Sequence, residues 1–135
     1  MANIFDIAGS AMNAQMLRLN TTASNLANAS TVSGTEQGAY RARQTVFSTI
    51  LDGTGSPEAV GGVSVPEVVE RQDPVPKRYE PGNPMANAEG YVYASNVNEV
   101  EEMANMISAS RSYQSNAEIF NTTKTLMLRT LQLGQ

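Results

Sequence analysis

The sequence predicts an α+β fold: long N- and C-terminal helices pairing as a coiled coil, with a small β-rich middle domain between them in the chain. Three observations predict it. All six prolines lie between Pro57 and Pro84, and eight of the ten glycines lie between Gly34 and Gly90, so the helix breakers crowd into the centre. Along the first arm, Phe5, Met12, Leu19 and Leu26 recur every seven residues. The last arm carries a three–four alternation from Met103 to Leu131 behind a strong helix-start signal. These patterns divide the chain into residues 1–30, 31–95 and 96–135.

The first arm reads as a helix from about Asn3 to Ala29, with Ala8, Met16 and Ala23 on the side of the heptad residues. Its outer face carries only Asp6 and Arg18 as charges, fewer than a water-facing helix usually has. The neutral Asn, Ser and Thr side chains therefore face either the rest of a small domain or neighbouring chains.

The middle reads as short strands and loops. Residues 40–51 are rich in β-formers (Thr45, Val46, Phe47, Thr49, Ile50), and 60–69 form a second candidate strand. Pro66 restricts that second run to an edge or irregular strand, because proline has no N–H for a ladder. Gly90-Tyr91-Val92-Tyr93 is a third candidate, with both tyrosines on one face. Asp52 to Pro57, Asp73 to Pro76 and Pro81 to Pro84 are turn chemistry, and Lys77-Arg78 reads as a solvated loop.

In the last arm Asn96 is a candidate N-cap with Glu99 three residues on, and Glu101 and Glu102 add negative charge at the positive dipole end. The stripe runs Met103, Met106, Ser110, Tyr113, Ala117, Phe120, Lys124, Met127, Leu131, and Gly134 can stop the helix. From Val97 to Leu133 the helix would measure ~55 Å at ~1.5 Å per residue, too long for the first arm to cover.

Composition narrows the function. The 135 residues include 13 acids and 9 bases, and no Cys, His or Trp. That excludes Ser-His-Asp and Cys-His nucleophile systems, ordinary structural zinc sites and disulfide frameworks. At 41% apolar the chain can fold, but 6% aromatic and 16% charged residues leave a thin core filled out with small polar side chains. A net charge of −4 without a Lys/Arg run argues against nucleic acid. No segment is apolar enough to insert in a membrane, and the N-terminus lacks the basic and apolar regions of a cleaved signal peptide. Asp52-Gly53-Thr54-Gly55 only superficially resembles an aspartic-protease motif, and Gly53, Gly55, Gly61 and Gly62 lack the Lys-Ser/Thr of a phosphate loop. Glu99, Glu101 and Glu102 are read as dipole complementation rather than a metal site. No catalytic residue, metal ligand, cofactor or small-molecule substrate is expected, and the chain is read as a non-enzyme.

Phe5-Asp6-Ile7-Ala8-Gly9-Ser10-Ala11, Leu19-Asn20 and Ala23-Ser24-Asn25-Leu26-Ala27-Asn28-Ala29, followed by Tyr40-Arg41-Ala42-Arg43, resemble the N-terminal motif of the bacterial flagellar axial proteins. Tyr79-Glu80-Pro81-Gly82-Asn83-Pro84, Gly90-Tyr91-Val92, Ser108-Ala109-Ser110-Arg111-Ser112-Tyr113-Gln114 and Phe120-Asn121-Thr122 resemble the short proximal rod type of that family. The likeness runs nearly the whole chain; its one departure is the longer link from Ser30 to Ala39 before Tyr40. It implies a structural subunit of the periplasmic basal-body rod, exported by the flagellar type III apparatus without a cleaved signal. The implied partners are other copies of the chain and other rod proteins. The expected assembly interface is Phe5, Met12, Leu19, Asn25, Leu26, Asn28, Met106, Tyr113, Ala117, Phe120, Met127 and Leu131. A cytoplasmic coiled-coil adaptor or export chaperone is the alternative reading.

Overall fold

The computed structural model describes residues 2–50 and 61–134; the turn expected at Asp52 to Pro57, with Gly53 and Gly55, lies outside them. The architecture is α+β. Helix α1 runs Ala2–Ala27, rich in Ala with Leu and Met, which lose little side-chain freedom in a helix. It ends where Asn28 turns the chain: its side-chain Nδ2 donates to Ser24 O at 2.9 Å, and its carbonyl accepts from the Thr31 hydroxyl at 2.7 Å. Such local side-chain bonds compete with the next helical turn.

Helix α2 runs Glu99–Leu133, 35 residues. Its N-cap is Asn98, not the expected Asn96: Asn98 is extended (φ −95, ψ 107) and its side chain accepts from Glu101 N at 3.2 Å. Asn96 is unavailable because its amide is committed elsewhere, as described below. We expect Asn98→Ala to cost about 1 kcal/mol, the usual worth of such a cap, measurable by urea denaturation of the purified chain.

The helices pack antiparallel. Phe5 meets Phe120 edge-on with ring centroids 4.8 Å apart, and Arg18 Nη2 donates to Asn105 Oδ1 at 3.1 Å. Ala8 and Ala109 are buried, and side chains this small let two helices approach closely. This register brings the start of α1 level with the turn of α2 just beyond Phe120. About ten residues of α2 therefore extend past α1, some 15 Å of helix at ~1.5 Å per residue.

The middle segment forms two sheets. Strands β2 (Arg43–Ile50) and β3 (Gly62–Glu70) pair antiparallel and lie along α1, where Val63 N donates to Ser10 Oγ at 3.0 Å. Their register slips once: Val46 pairs with Glu67 and Ser48 with Ser64, so Val65 and Pro66 stand opposite Phe47. The bulge falls at the residue without an N–H, as an edge strand tolerates. The second sheet has strands β1 (Val32–Ser33), β4 (Lys77–Tyr79) and β5 (Tyr91–Ala94), in the order β1-β5-β4 and all antiparallel. Lys77-Arg78 is thus a strand and not the expected loop. It is held by the ladder to β5 and by the Lys77 ammonium, which sits 4.2 Å from the Tyr91 ring centroid. Tyr79 and Tyr91 meet edge-on on that face. The turn into β5 requires Gly90, at φ +85, where a Cβ would lie 2.9 Å from a Tyr79 ring carbon.

Val92 and Asn25 are the largest fully buried side chains among the described residues, and most other buried apolar residues are alanines. The thin core read from composition is therefore visible in the fold. Because α1 is contacted by α2 on one side and by β3 on another, its buried positions are Ala8, Ala14, Thr22 and Asn25. The expected Met16 and Ala23 are exposed. On α2 the inward line passes Glu102, Met106, Ala109 and Tyr113, while Met103, Lys124 and Leu131 of the expected stripe face out.

Candidate assembly surface

Three asparagine- and serine-based ties gather the chain where α1 ends and α2 begins. Asn25 is wholly buried, and its amide pairs with one residue of β2 as a neighbouring strand would: Nδ2 donates to Arg43 O at 2.8 Å, and Oδ1 accepts from Arg43 N at 2.9 Å. The same Oδ1 accepts from the Tyr40 hydroxyl at 2.8 Å. Asn96 Oδ1 accepts from Ala42 N, and its Nδ2 donates to Asp73 O at 2.9 Å and to Arg71 O at 3.3 Å. Ser95 Oγ donates to Ala29 O at 2.6 Å, fastening the start of α2 to the end of α1. Arg71 then bridges Asp73 at 2.7 Å and Glu101 at 3.1 Å. The hydrogen bond to Glu101, followed by attraction to both carboxylates, raises the Arg71 pKa despite some desolvation.

Away from this junction the helices expose apolar surface. Val100, Met103 and Ile107 form a row on the outer side of α2, Val100 being 78% exposed. Beyond the end of α1 stand Leu126, Leu128, Leu131 and Leu133, the last two 67% and 88% exposed. An exposed leucine is unremarkable singly, but a row at helical spacing is a surface awaiting cover.

The expected interface residues distribute unevenly. Phe5, Met12, Leu19, Leu26, Met106, Tyr113, Ala117 and Met127 are half-buried, and Phe5 and Phe120 touch. Asn28 is half-buried and Leu131 is exposed, whereas Asn25 has no surface and works inside the chain. The outer row on α2 was not singled out from the sequence as a face of its own. The signal for it is the spacing of Val100, Ala104 and Ile107, one helical face beside the stripe that begins at Met103.

A cleft of about 380 Å³ opens between α1, β2 and the first turns of α2, lined among others by Arg18, Arg43, Phe47, Glu102 and Asn105. Among the described residues no cluster of three or more acids is arranged to hold a metal ion, and no helix is long and apolar enough to cross a membrane.

Two paired helices, α2 projecting past α1 with apolar surface exposed, one sheet lying along α1 and the other at the junction, have the build of a structural subunit. Residues 5–34 match the family described as flagella basal body rod protein, and residues 88–133 match the flagellar basal body rod FlgEFG protein C-terminal region. The flagellar basal-body rod protein FlgC of Escherichia coli O6:H1 is 56% identical over 135 residues, covering 100% of this chain and 98% of that protein. FlgC of Salmonella typhimurium is likewise 56% identical with the same coverage. FlgC of Bacillus subtilis is 34% identical over 143 residues, covering 96% of this chain and 95% of that protein. The chain belongs to the FlgC family of flagellar basal-body rod proteins.

Proposed function

We propose that this structural subunit of the flagellar basal-body rod assembles by laying its terminal helices against those of neighbouring subunits in coiled-coil fashion. The observation that carries this is the apolar surface left open on α2, from Val100 to Ile107 and again from Leu126 to Leu133. The half-buried Phe5, Met12, Leu19 and Leu26 on α1, with Met106, Tyr113, Ala117 and Phe120 on α2, form the seam between the arms, and Met127 lies on the projecting end for a neighbour's arm to meet. Residues 1–30 and 96–135 then act as axial segments, and residues 31–95 as the unit carried outside them. Copies joined through unlike surfaces build an open helical array rather than a closed ring, the geometry of a shaft that carries torque from motor to hook.

The partners are other rod proteins and other copies of the chain, reached through the flagellar type III export apparatus on the way to the periplasm. The role needs no catalytic residue or cofactor. The likeness of both terminal segments to rod proteins supports this reading over a cytoplasmic adaptor or export chaperone. Isolation of hook–basal bodies tests it: the chain should co-purify with the rod. Recovery from the cytoplasmic fraction alone would favour the adaptor and end the rod assignment.

A further inference from the structure

The cleft between α1, β2 and α2 has an unbalanced set of charges. Glu102 lines it and is 2% exposed, yet it has no ion pair within 4.0 Å and accepts no side-chain hydrogen bond among the described residues. Arg18 lines it too, and its guanidinium is spent on the uncharged Asn105 amide. Arg43, on the β2 side, uses its backbone in the Asn25 clamp, while its exposed side chain makes no salt bridge among the described residues. Glu102, Arg18 and Arg43 therefore line one cleft with no ion pair among them, and Arg43 also borders a second cleft with Tyr40, Arg41 and Glu70. Charged side chains that line a cleft without pairing to one another are open to a partner of complementary charge.

We propose that the cleft receives an aspartate or glutamate side chain of a neighbouring rod subunit, seated between Arg43 and Arg18. The inference rests on the rod reading above. Two arginines and one glutamate along the cleft leave a surplus positive charge, and one incoming carboxylate makes the set neutral. Guanidinium is also the group whose forked donors match a carboxylate best. The rim fits a protein partner, since Phe47 lines the cleft and is 40% exposed, an aromatic beside a charged centre. A neighbour of this chain's own composition has acids to spare, with 13 against 9 bases.

The test compares Arg43→Glu and Glu102→Gln in the full chain, scored by retention in basal bodies washed at rising sodium chloride. The Arg43 side chain is exposed, so circular dichroism and the melting curve of R43E should match the original chain. Arg43→Gln serves as the charge-removing variant should R43E fail to fold. An acidic occupant requires R43E to lower retention roughly tenfold or more, the scale of losing a close charge pair across an interface. It also requires E102Q, which removes a repelling carboxylate, to hold at higher salt than the original chain. Retention of R43E at the original level overturns the proposal, as does the reverse pattern, which would mean a cationic occupant bound to Glu102. Absence of even the original chain from basal bodies would instead defeat the rod reading itself, so the two failures are distinct.

Discussion

Replacing Asn25 with alanine is expected to lower the stability of the folded chain by about 2–4 kcal/mol, read as a fall in the urea midpoint with an unchanged slope. The side chain is wholly buried and makes three hydrogen bonds, two of them to the backbone of Arg43. Alanine removes the partner of the Arg43 N–H and of its carbonyl at once. Unsatisfied buried backbone groups cost more than the net worth of the bonds lost. The cavity adds a smaller term. Asn25→Asp should also destabilise although it keeps the shape, because it turns the Nδ2 donor into an acceptor against the Arg43 carbonyl. If the alanine variant melts with the original chain, the clamp does not hold β2 to α1.

The second large effect is on assembly, not stability. Leu128→Glu combined with Leu131→Glu should abolish motility and rod incorporation, while the denaturation midpoint of the isolated chain moves by less than about 0.5 kcal/mol. Both leucines lie beyond the end of α1 and are exposed, so the folded monomer loses almost nothing. A neighbour packed on that tip would have to bury two unpaired carboxylates, which costs several kcal/mol. Swimming on soft agar and immunoblots of basal bodies measure the first outcome, and urea titration measures the second. Normal swimming would show that the projecting tip is not a contact.

Much of the fold was legible because breakers and periodicity act locally. The crowding of proline and glycine placed both helices to within two residues at each end, α1 at Ala2–Ala27 and α2 at Glu99–Leu133. Strands β2, β3 and β5 announced themselves by β-branched and aromatic content. What was missed depends on distant partners. Asn96 and Asn98 are equally good caps by local rules, and the choice is made by Ala42 N, Arg71 O and Asp73 O, which claim Asn96. Strands β1 and β4 span only two and three residues and exist because β5 lies between them, a pairing no short window contains. The inward stripe of α2 was displaced toward Met103 because the sequence gives no sign that Glu102, an acid, turns inward. The same reason hid the cleft, whose charges come from three separated elements.

The polar ties of the junction have a mechanical consequence. Asn25, Ser95, Asn96 and Arg71 bind side chain to backbone, or charge to charge, at the end where α1 stops and α2 starts. At the far end the two helices meet through the Phe5–Phe120 ring contact. The molecule is thus a cantilever, clamped at its root and compliant at its tip. Amide hydrogen exchange should be slowest around Asn25 and Ser95 and quicken steadily toward Leu131, and under a twisting load the tip would deform before the root does.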